Sequence, residues 1–242
     1  MSETPAENRL PTGNEKRKAV RAMFDVIAPR YDLLNRLLTF RLDVRWRRLL
    51  VKTLDLPPQS QLADLACGTG DFCRELAGKG HLAFGFDLSM GMLQAARCPR
   101  SSLVQADVLA LPLEDACVDG VTCGFALRNL VDIPALFEEV ARIVRPGGRV
   151  GLLEIAEPSN RLLRYGHGVY FSRVVPFVGG LISNREAYRY LPRSAAYLPS
   201  ANELRSFLES TGFTDIRHQR LSGGIAQIIT ATRKRITVHK SQ

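Results

Sequence analysis

QLADLACGTGDF, residues 61–72, carries a short apolar run into a glycine-rich turn and on into the start of a helical pattern. Glycine reaches left-handed backbone angles without steric cost and lets a ligand come close to the main chain, so Gly68 and Gly70 mark a strand-to-helix turn built to hold something. Outward from that turn, further apolar runs follow at HLAFGFD (81–87), SSLVQAD (101–107), CVDGVTCGF (117–125) and RVGLLEI (149–155). Helical patterns fill most of the gaps. The clearest is PALFEEVARIVRPGG, where Ala135, Phe137, Val140, Ala141 and Val144 lie broadly on one face and Pro134 suits a first turn. RPGG (145–148) is expected to be a turn feeding the fifth strand. Alternating strand and helix predicts an α/β fold with a doubly wound, mostly parallel sheet of the Rossmann-like kind. The alternation breaks near the end. SANELRSFLESTGF holds a capping-box pair, Ser200 and Glu203, and a stop at Gly212. Strands 213–221 and 225–232 then meet across Ser222-Gly223-Gly224, an antiparallel hairpin that completes seven strands.

In such a sheet, ligands bind beyond the carboxyl ends of the strands where strand order reverses. The first turn lacks the third glycine of a dinucleotide fingerprint, because Cys73 stands there, and Asp71 at the helix start would repel a pyrophosphate. A ligand without phosphate and with positive charge tolerates Asp64 and Asp71, and S-adenosylmethionine, with its sulfonium and ammonium, is such a ligand. Asp87, ending the second strand, is placed to take both ribose hydroxyls; Asp107, ending the third, is placed to accept from the adenine amino group. The expected cofactor set is Asp64, Gly68, Thr69, Gly70, Asp87, Leu88, Asp107, Val108 and Gly124.

Charge is uneven along the chain. The net charge is +5 over residues 1–60, −5 over 61–157 and +9 over 158–242, so the basic surplus belongs to the flanks. Such flanks attract anionic surfaces, but they lack the regularly spaced aromatic platforms of a nucleic-acid binder, and no specific nucleic-acid partner is expected. Cys67, Cys73, Cys98, Cys117 and Cys123 form no CxxC pair, and no histidine has metal-ligand spacing, so neither a disulfide framework nor a metal is predicted. Residues 1–14 have no apolar h-region and are expected to be a disordered tail. VVPFVGGLI, from Val174, is far shorter than the roughly twenty residues needed to span a bilayer. A cytoplasmic enzyme is expected.

Further motifs are MFDVIAPRYDLLNRLLTFRLDVRWRR, FDLSMGML, QADVLALPL, GFALRNLVD, RIVRPGGRVGLLEIAEPS, AYRYLPRSAAYLP and LSGGIA, of which the Tyr-Asp-x-x-Asn, Leu-Arg-Asn and Tyr-x-Tyr-Leu segments are far more restrictive than the cofactor turn. Through them, and over about residues 20–232, the chain resembles the quinone-biosynthesis C-methyltransferases, class I S-adenosylmethionine-dependent enzymes that methylate demethylmenaquinol or a polyprenyl benzoquinol. The resemblance implies a lipid quinol substrate, cofactor contacts at Thr69, Asp87 and Asp107-Val108, and active-site positions at Tyr31, Arg128 and Asn129. It departs from the family at Arg41 and Asp43, where Gly-x-His is usual, at Ala126 in place of glycine, and at Glu154-Ile155-Ala156 in place of Glu-Phe-Ser. These departures motivate a second reading, the same fold acting on another aromatic or polyketide small molecule.

Ring methylation needs electron density at carbon, which ionising the neighbouring phenol supplies. Arg128 cannot act as an ordinary base but can favour the phenolate and hold a water, with Asn129 orienting it and Tyr31 bonding the ring from a covering helix. Glu154, ending the fifth strand, could be a second polar group at the pocket mouth, but a buried or capping carboxylate is the expected role. The expected layout is a single domain over 15–235: a helical cover at 15–55, a cofactor core at 60–157, a helical insertion at 158–200, and a last helix with the hairpin at 200–232. RLLRYGHGVYFSRVVPFVGGLI mixes Arg161, Arg164 and Arg173 with aromatic and apolar residues, the composition of a segment that touches a membrane peripherally at its inner face. A homodimer is left open.

Overall fold

The structure, a computed structural model, describes residues 12–98, 101–175, 177–178 and 194–235. Two helices open the chain, α1 (Gly13–Leu38) and α2 (Leu42–Leu54). There follow β1 (Gln61–Leu65), α3 (Asp71–Gly78), β2 (Leu82–Asp87), α4 (Met90–Ala95), β3 (Ser102–Gln105), β4 (Val118–Gly124), α5 (Ile133–Ile143) and β5 (Val144–Ile155). After α6 (Arg161–Val169) come α7 (Ala201–Ser210), β6 (Phe213–Leu221) and β7 (Ala226–Arg233). Seven strands form one sheet in the order β3-β2-β1-β4-β5-β7-β6. β1 to β5 pair in parallel, and β7 runs antiparallel to both β5 and β6, as the sequence predicts.

Local chemistry sets where the helices start. Ser89 accepts from the Met92 N–H, Asp132 from the Ala135 N–H and Asn160 from Leu162 and Leu163, while Ser200 and Glu203 form the expected capping box. Period-two alternation sends strand side chains to opposite faces. Val121, Val150, Leu152 and Ile229 pack with α5 and α7 on one side, and Leu62, Leu153 and Ile228 with α2 and α3 on the other. Each fully buried Leu or Phe contributes about 1.5–3 kcal/mol.

Three expectations need correction. The inward face of α5 is Ile133, Leu136, Phe137, Val140 and Ile143, because the larger side chains take the core positions and leave Ala135 and Ala141 only partly buried. RPGG lies within β5, where the register jumps from Val118↔Val144 to Gly120↔Arg149; a Cβ on Gly148 would lie 2.7 Å from Val144 Cγ1 and 2.8 Å from the Asp119 carbonyl. Gly13 and Asn14, expected in the tail, form the first turn of α1, which Lys16 anchors by donating to the Leu130 carbonyl at 2.6 Å. Residues 1–11 and the Tyr-x-Tyr-Leu segment at 188–191 lie outside the described residues.

Candidate active site

Strand order reverses between β1 and β4, and the carboxyl ends of β1 to β4 border a cavity that opens to solvent. Of the expected cofactor set, Gly68, Asp87, Leu88, Asp107, Val108 and Gly124 line it, together with Tyr31 and Asn129. Each Asp87 oxygen accepts one backbone N–H at 2.8 Å, Oδ2 from Gly68 and Oδ1 from Ser89, which leaves each a further lone pair for a ligand hydroxyl. Burial raises the Asp87 carboxyl above its ordinary range. Gly124 is required by its neighbour: an added Cβ would stand 2.5 Å from the Phe72 ring.

Asp64, Thr69 and Gly70 are not in the cavity wall; they support the turn from behind. Asp64 is 1% exposed and accepts from Thr122 Oγ1 at 2.8 Å and from the Cys73 thiol at 3.6 Å. Burial pushes its carboxyl up to about 7. Thr69 donates to Asp32 Oδ1 at 2.5 Å, and Gly70 leaves room for the Cys98 sulfur, which would lie 2.5 Å from an added Cβ. Asp71 also differs from expectation. Its carboxylate pairs with Arg36 at 2.9 Å, Arg47 at 3.3 Å and Arg74, so three guanidinium groups compensate the charge that was expected to repel a phosphate.

Helix α1 roofs this cavity. Asp25 Oδ1 accepts from Ser89 Oγ at 2.6 Å and from the Gly91 N–H at 2.9 Å, and the approach is so close that a Cβ on Gly91 would lie 2.9 Å from the Asp25 Cα. Arg17 pairs with Asp107 at 2.8 Å, so the carboxylate expected to meet an adenine is also a latch for the roof. Nothing in the sequence pattern pointed to Arg17.

A second and larger cavity, also open to solvent, lies beyond Phe24, Tyr31 and Phe125, which line both. Its wall is mostly apolar: Leu38, Phe40, Leu42 and Trp46 from the first two helices, Leu162, Leu163 and Tyr170 from α6 and the turn after it, and Ile155 and Ile225 from the sheet side. Phe125 sits at φ 59, a strained angle for a non-glycine residue, and turns the chain at the end of β4 between the two cavities. Ala126 follows at φ −113, an ordinary angle, so the departure from glycine carries no backbone penalty.

Arg128 and Asn129 end up on different cavities, Arg128 in the wall of the second and Asn129 in that of the first. Both are buried on the short turn Leu127–Asn129. Arg128 Nη1 pairs with Glu154 Oε1, which also accepts the Ile155 N–H at 2.9 Å, so Glu154 is buried as expected. Tyr31 is held among these groups, and burial raises its phenol. Asp43 and Arg47 belong to the second cavity as well, paired at 2.6 Å with Thr39 Oγ1 donating to Asp43 at 2.7 Å. The signal that could have found Arg47 is its i,i+4 spacing from Asp43 ahead of an apolar helix face.

Comparison with known proteins agrees with this geometry. The model of the ubiE/COQ5 methyltransferase family matches residues 12–233. A demethylmenaquinone methyltransferase of Roseiflexus castenholzii is 39% identical over 94% of this chain and 98% of that protein. A ubiquinone/menaquinone biosynthesis C-methyltransferase of Syntrophotalea carbinolica is 41% identical over 88% of this chain and 93% of that protein. Among solved structures, a SAM-dependent methyltransferase from Thermotoga maritima has a TM-score of 0.64 at 18% identity, covering 89% of this chain and all of that one. Phosphoethanolamine N-methyltransferase 2 of Haemonchus contortus, solved with S-adenosyl-L-methionine, has a TM-score of 0.60 at 14% identity, covering 79% of this chain and 53% of that one. With the strand ends, the carboxylates and these relatives in agreement, the chain belongs to the ubiE/COQ5 methyltransferase family and is an S-adenosylmethionine-dependent C-methyltransferase.

Proposed function

We propose that this enzyme methylates a ring carbon of a polyprenylated quinol, demethylmenaquinol to menaquinol first among them and a polyprenyl benzoquinol as a related substrate. The observation that carries this reading is the second cavity, larger than the cofactor cavity, mostly apolar and with Arg128 in its wall. A quinol ring and the start of a prenyl chain are what such a wall can desolvate. Relatives of about 40% identity are named for demethylmenaquinone and for ubiquinone/menaquinone biosynthesis.

S-adenosylmethionine, when bound, supplies an electrophilic methyl group on a sulfonium. Asp87 offers acceptors for its ribose and Asp107 for its adenine, with Gly68, Leu88, Val108 and Gly124 allowing close approach. Asp64, Thr69 and Gly70 contribute by holding the turn. Arg128 stabilises the phenolate that activates the ring, a preorganised charge in a water-poor site. Tyr31, which borders both cavities, orients a ring oxygen, while Asn129, on the cofactor cavity, donates to the Phe125 carbonyl at 3.4 Å and steadies the turn that carries Arg128; much of the rate comes from alignment, worth up to about 7–11 kcal/mol. The exposed rim of the second cavity, with Phe40 at 77% and Leu162 at 79%, lies near Arg161 and Arg164 and suits contact with an anionic bilayer from which the tail slides in. Among the described residues no helix is long and apolar enough to cross a membrane.

One observation favours the second reading, another aromatic substrate: Asp43 and Arg47 put a charged pair into the second cavity. The test is transfer of labelled methyl to demethylmenaquinol in detergent, beside a prenyl benzoquinol and a soluble phenol, with Arg128→Ala as a second arm. Quinol turnover that falls about 100-fold or more in the variant, with cofactor binding retained, is expected. Turnover of the soluble phenol alone would move the assignment to the second reading.

A further inference from the structure

A methyl group crosses from the first cavity to the second where they share walls, at Phe24, Tyr31 and Phe125. Whatever stands at that boundary faces the reacting end of a bound ring, and two guanidinium groups stand there. Arg128 follows Phe125 by three residues on the same turn. Arg47 arrives from α2, and its Cζ lies 5.5 Å from the centre of the Phe125 ring and 5.8 Å from that of Phe72. Burial raises the Tyr31 phenol, while a hydrogen bond with Asn35 and the charges of Arg47 and Arg128 act the other way, so both guanidinium groups are near that hydroxyl.

The donors of Arg47 are mostly unspent. A guanidinium carries five N–H groups. Arg47 uses Nη1 alone, on Asp43 at 2.6 Å with Asp71 at 3.3 Å, and its Nε and Nη2 have no hydrogen-bond partner among the described residues. Neither is sealed inside the protein as the bare Nε of Arg128 is, so both meet the open space that Arg47 lines. Arg128 likewise spends Nη1 on Glu154 and leaves Nη2 open. Buried guanidinium groups kept only to hold helices together would use these donors on protein acceptors. The other polar groups nearby are already committed or differently placed. Asp43 accepts at both oxygens, from Thr39 and Arg47. The Tyr170 hydroxyl donates to the Leu38 carbonyl at 2.7 Å, and His167 stands one turn before Tyr170 on α6, which meets Leu38 and Phe40 at the exposed rim. Glu154, whose Oε2 is buried and bare, lines neither cavity.

We propose that Arg47 is a second ring-binding guanidinium, donating to the ring oxygen opposite the one that Arg128 holds, so that the site selects a ring with two oxygens over a ring with one. This rests on the quinol reading of the site, and within it gives the charged pair of the second cavity a use. A pocket built to hydrogen-bond a ligand oxygen rejects the analogue that lacks it, because its own buried polar groups are then left unpaired. A monophenol held by Arg128 would leave Arg47 in that state. Asp43 is a positioning residue: it fixes the guanidinium through Nη1, and Phe72 and Phe125 border it on the cofactor side. Asp43 stands where the family usually carries histidine, so this anchoring belongs to this chain.

The test measures binding, which needs no turnover. With S-adenosylhomocysteine present and under anaerobic, reducing conditions, 1,4-naphthalenediol is compared with 1-naphthol, which lacks the second oxygen. Wild type is expected to bind the diol about tenfold or more tightly, and equal affinity overturns the proposal. The double variant Asp43→Asn with Arg47→Met removes the ion pair as a unit, and Asp71 keeps Arg36 and Arg74, so no carboxylate is stranded without a partner. In it the preference for the diol should fall below about twofold, and kcat/KM for demethylmenaquinol should drop about tenfold or more. Affinity lost equally for both probes, with the preference intact, is what a purely structural role gives and overturns the proposal. If the double variant no longer binds S-adenosylhomocysteine, Arg47→Lys takes its place, keeping a charge beside Asp43 without a second nitrogen; the full wild-type preference in that variant overturns the proposal. Wild type that prefers the diol but methylates no quinol would sink the quinol reading alone, and wild type that methylates quinols but binds both probes equally would sink the role of Arg47 alone.

Discussion

The two cavities share three residues, Phe24, Tyr31 and Phe125, and are otherwise built from different material. The first is formed at strand ends, where Asp87, Asp107 and the Gly68 turn follow one another at regular intervals along the chain. The second is formed by helices and loops far apart in sequence, Phe40 from the helical cover, Leu162 from α6, Ile225 from the hairpin. A sheet fixes the direction of each strand end, so the first cavity inherits its geometry from the backbone. The second depends on which side chains happen to meet. On the proposed reading the first cavity takes the cofactor and the second the substrate, and of the two family departures before Trp46, Asp43 lines the second cavity while Arg41 stands in the link between α1 and α2.

The sharpest way to separate the halves is Asp87→Ala, which deletes both acceptor oxygens and strands the N–H groups of Gly68 and Ser89. Calorimetry should show S-adenosylmethionine binding weakened about 100-fold, while a phenol probe binds the second cavity as before; equal loss of both would mean the cavities do not act separately. On the other side, Phe40→Ser with Leu162→Ser should raise KM about tenfold for a long-tailed quinol and leave that of a tail-less analogue unchanged. A parallel rise for both analogues would remove the tail from this cavity.

Asp64 tests how far the buried support of the cofactor turn limits stability. Its folded carboxyl titrates near 7 against an unfolded value of about 3.9, so the folded state holds the extra proton between those limits. Stability from this group is greatest below the lower limit and is lost as pH rises to about 7. Asp64→Asn should remove that fall, on the order of 4 kcal/mol, from denaturation curves measured at both ends of the range. An identical pH slope in the variant would show that Asp64 ionises normally. Smallest is Arg41→Gly. Arg41 sits at φ 61, the left-handed region, where the family usually carries glycine. Relief of that strain should raise stability by about 0.5–1 kcal/mol and Tm by about 2 °C; a fall would mean the arginine side chain earns its place by contacts.

Legibility in the sequence follows the same division. The hairpin, the capping box at Ser200 and the parallel strands could be read directly, because each depends on residues within a few positions of one another. On α5, periodicity locates the stripe, but side-chain size decides which members turn inward. At the site, Asp87 and Asp107 were legible as strand-end carboxylates. The Arg17 latch on Asp107, the Arg36 and Arg47 pairs with Asp71 and the Arg128–Glu154 pair were not, since they join residues 24 to 90 positions apart on elements whose approach no local pattern encodes.

Sequence alone determined the sheet, its order of strand and helix, the cofactor turn and the residue types at the strand ends, because hydrophobic period and turn chemistry are local properties. Only the tertiary structure decided that Asp64, Thr69 and Gly70 stand behind the turn, and that Arg128 and Asn129 face separate cavities. It also decided that Glu154 lies against Arg128 with one oxygen bare. Burial and pairing between distant segments depend on how helices pack over the sheet, and that packing is settled by the whole core at once.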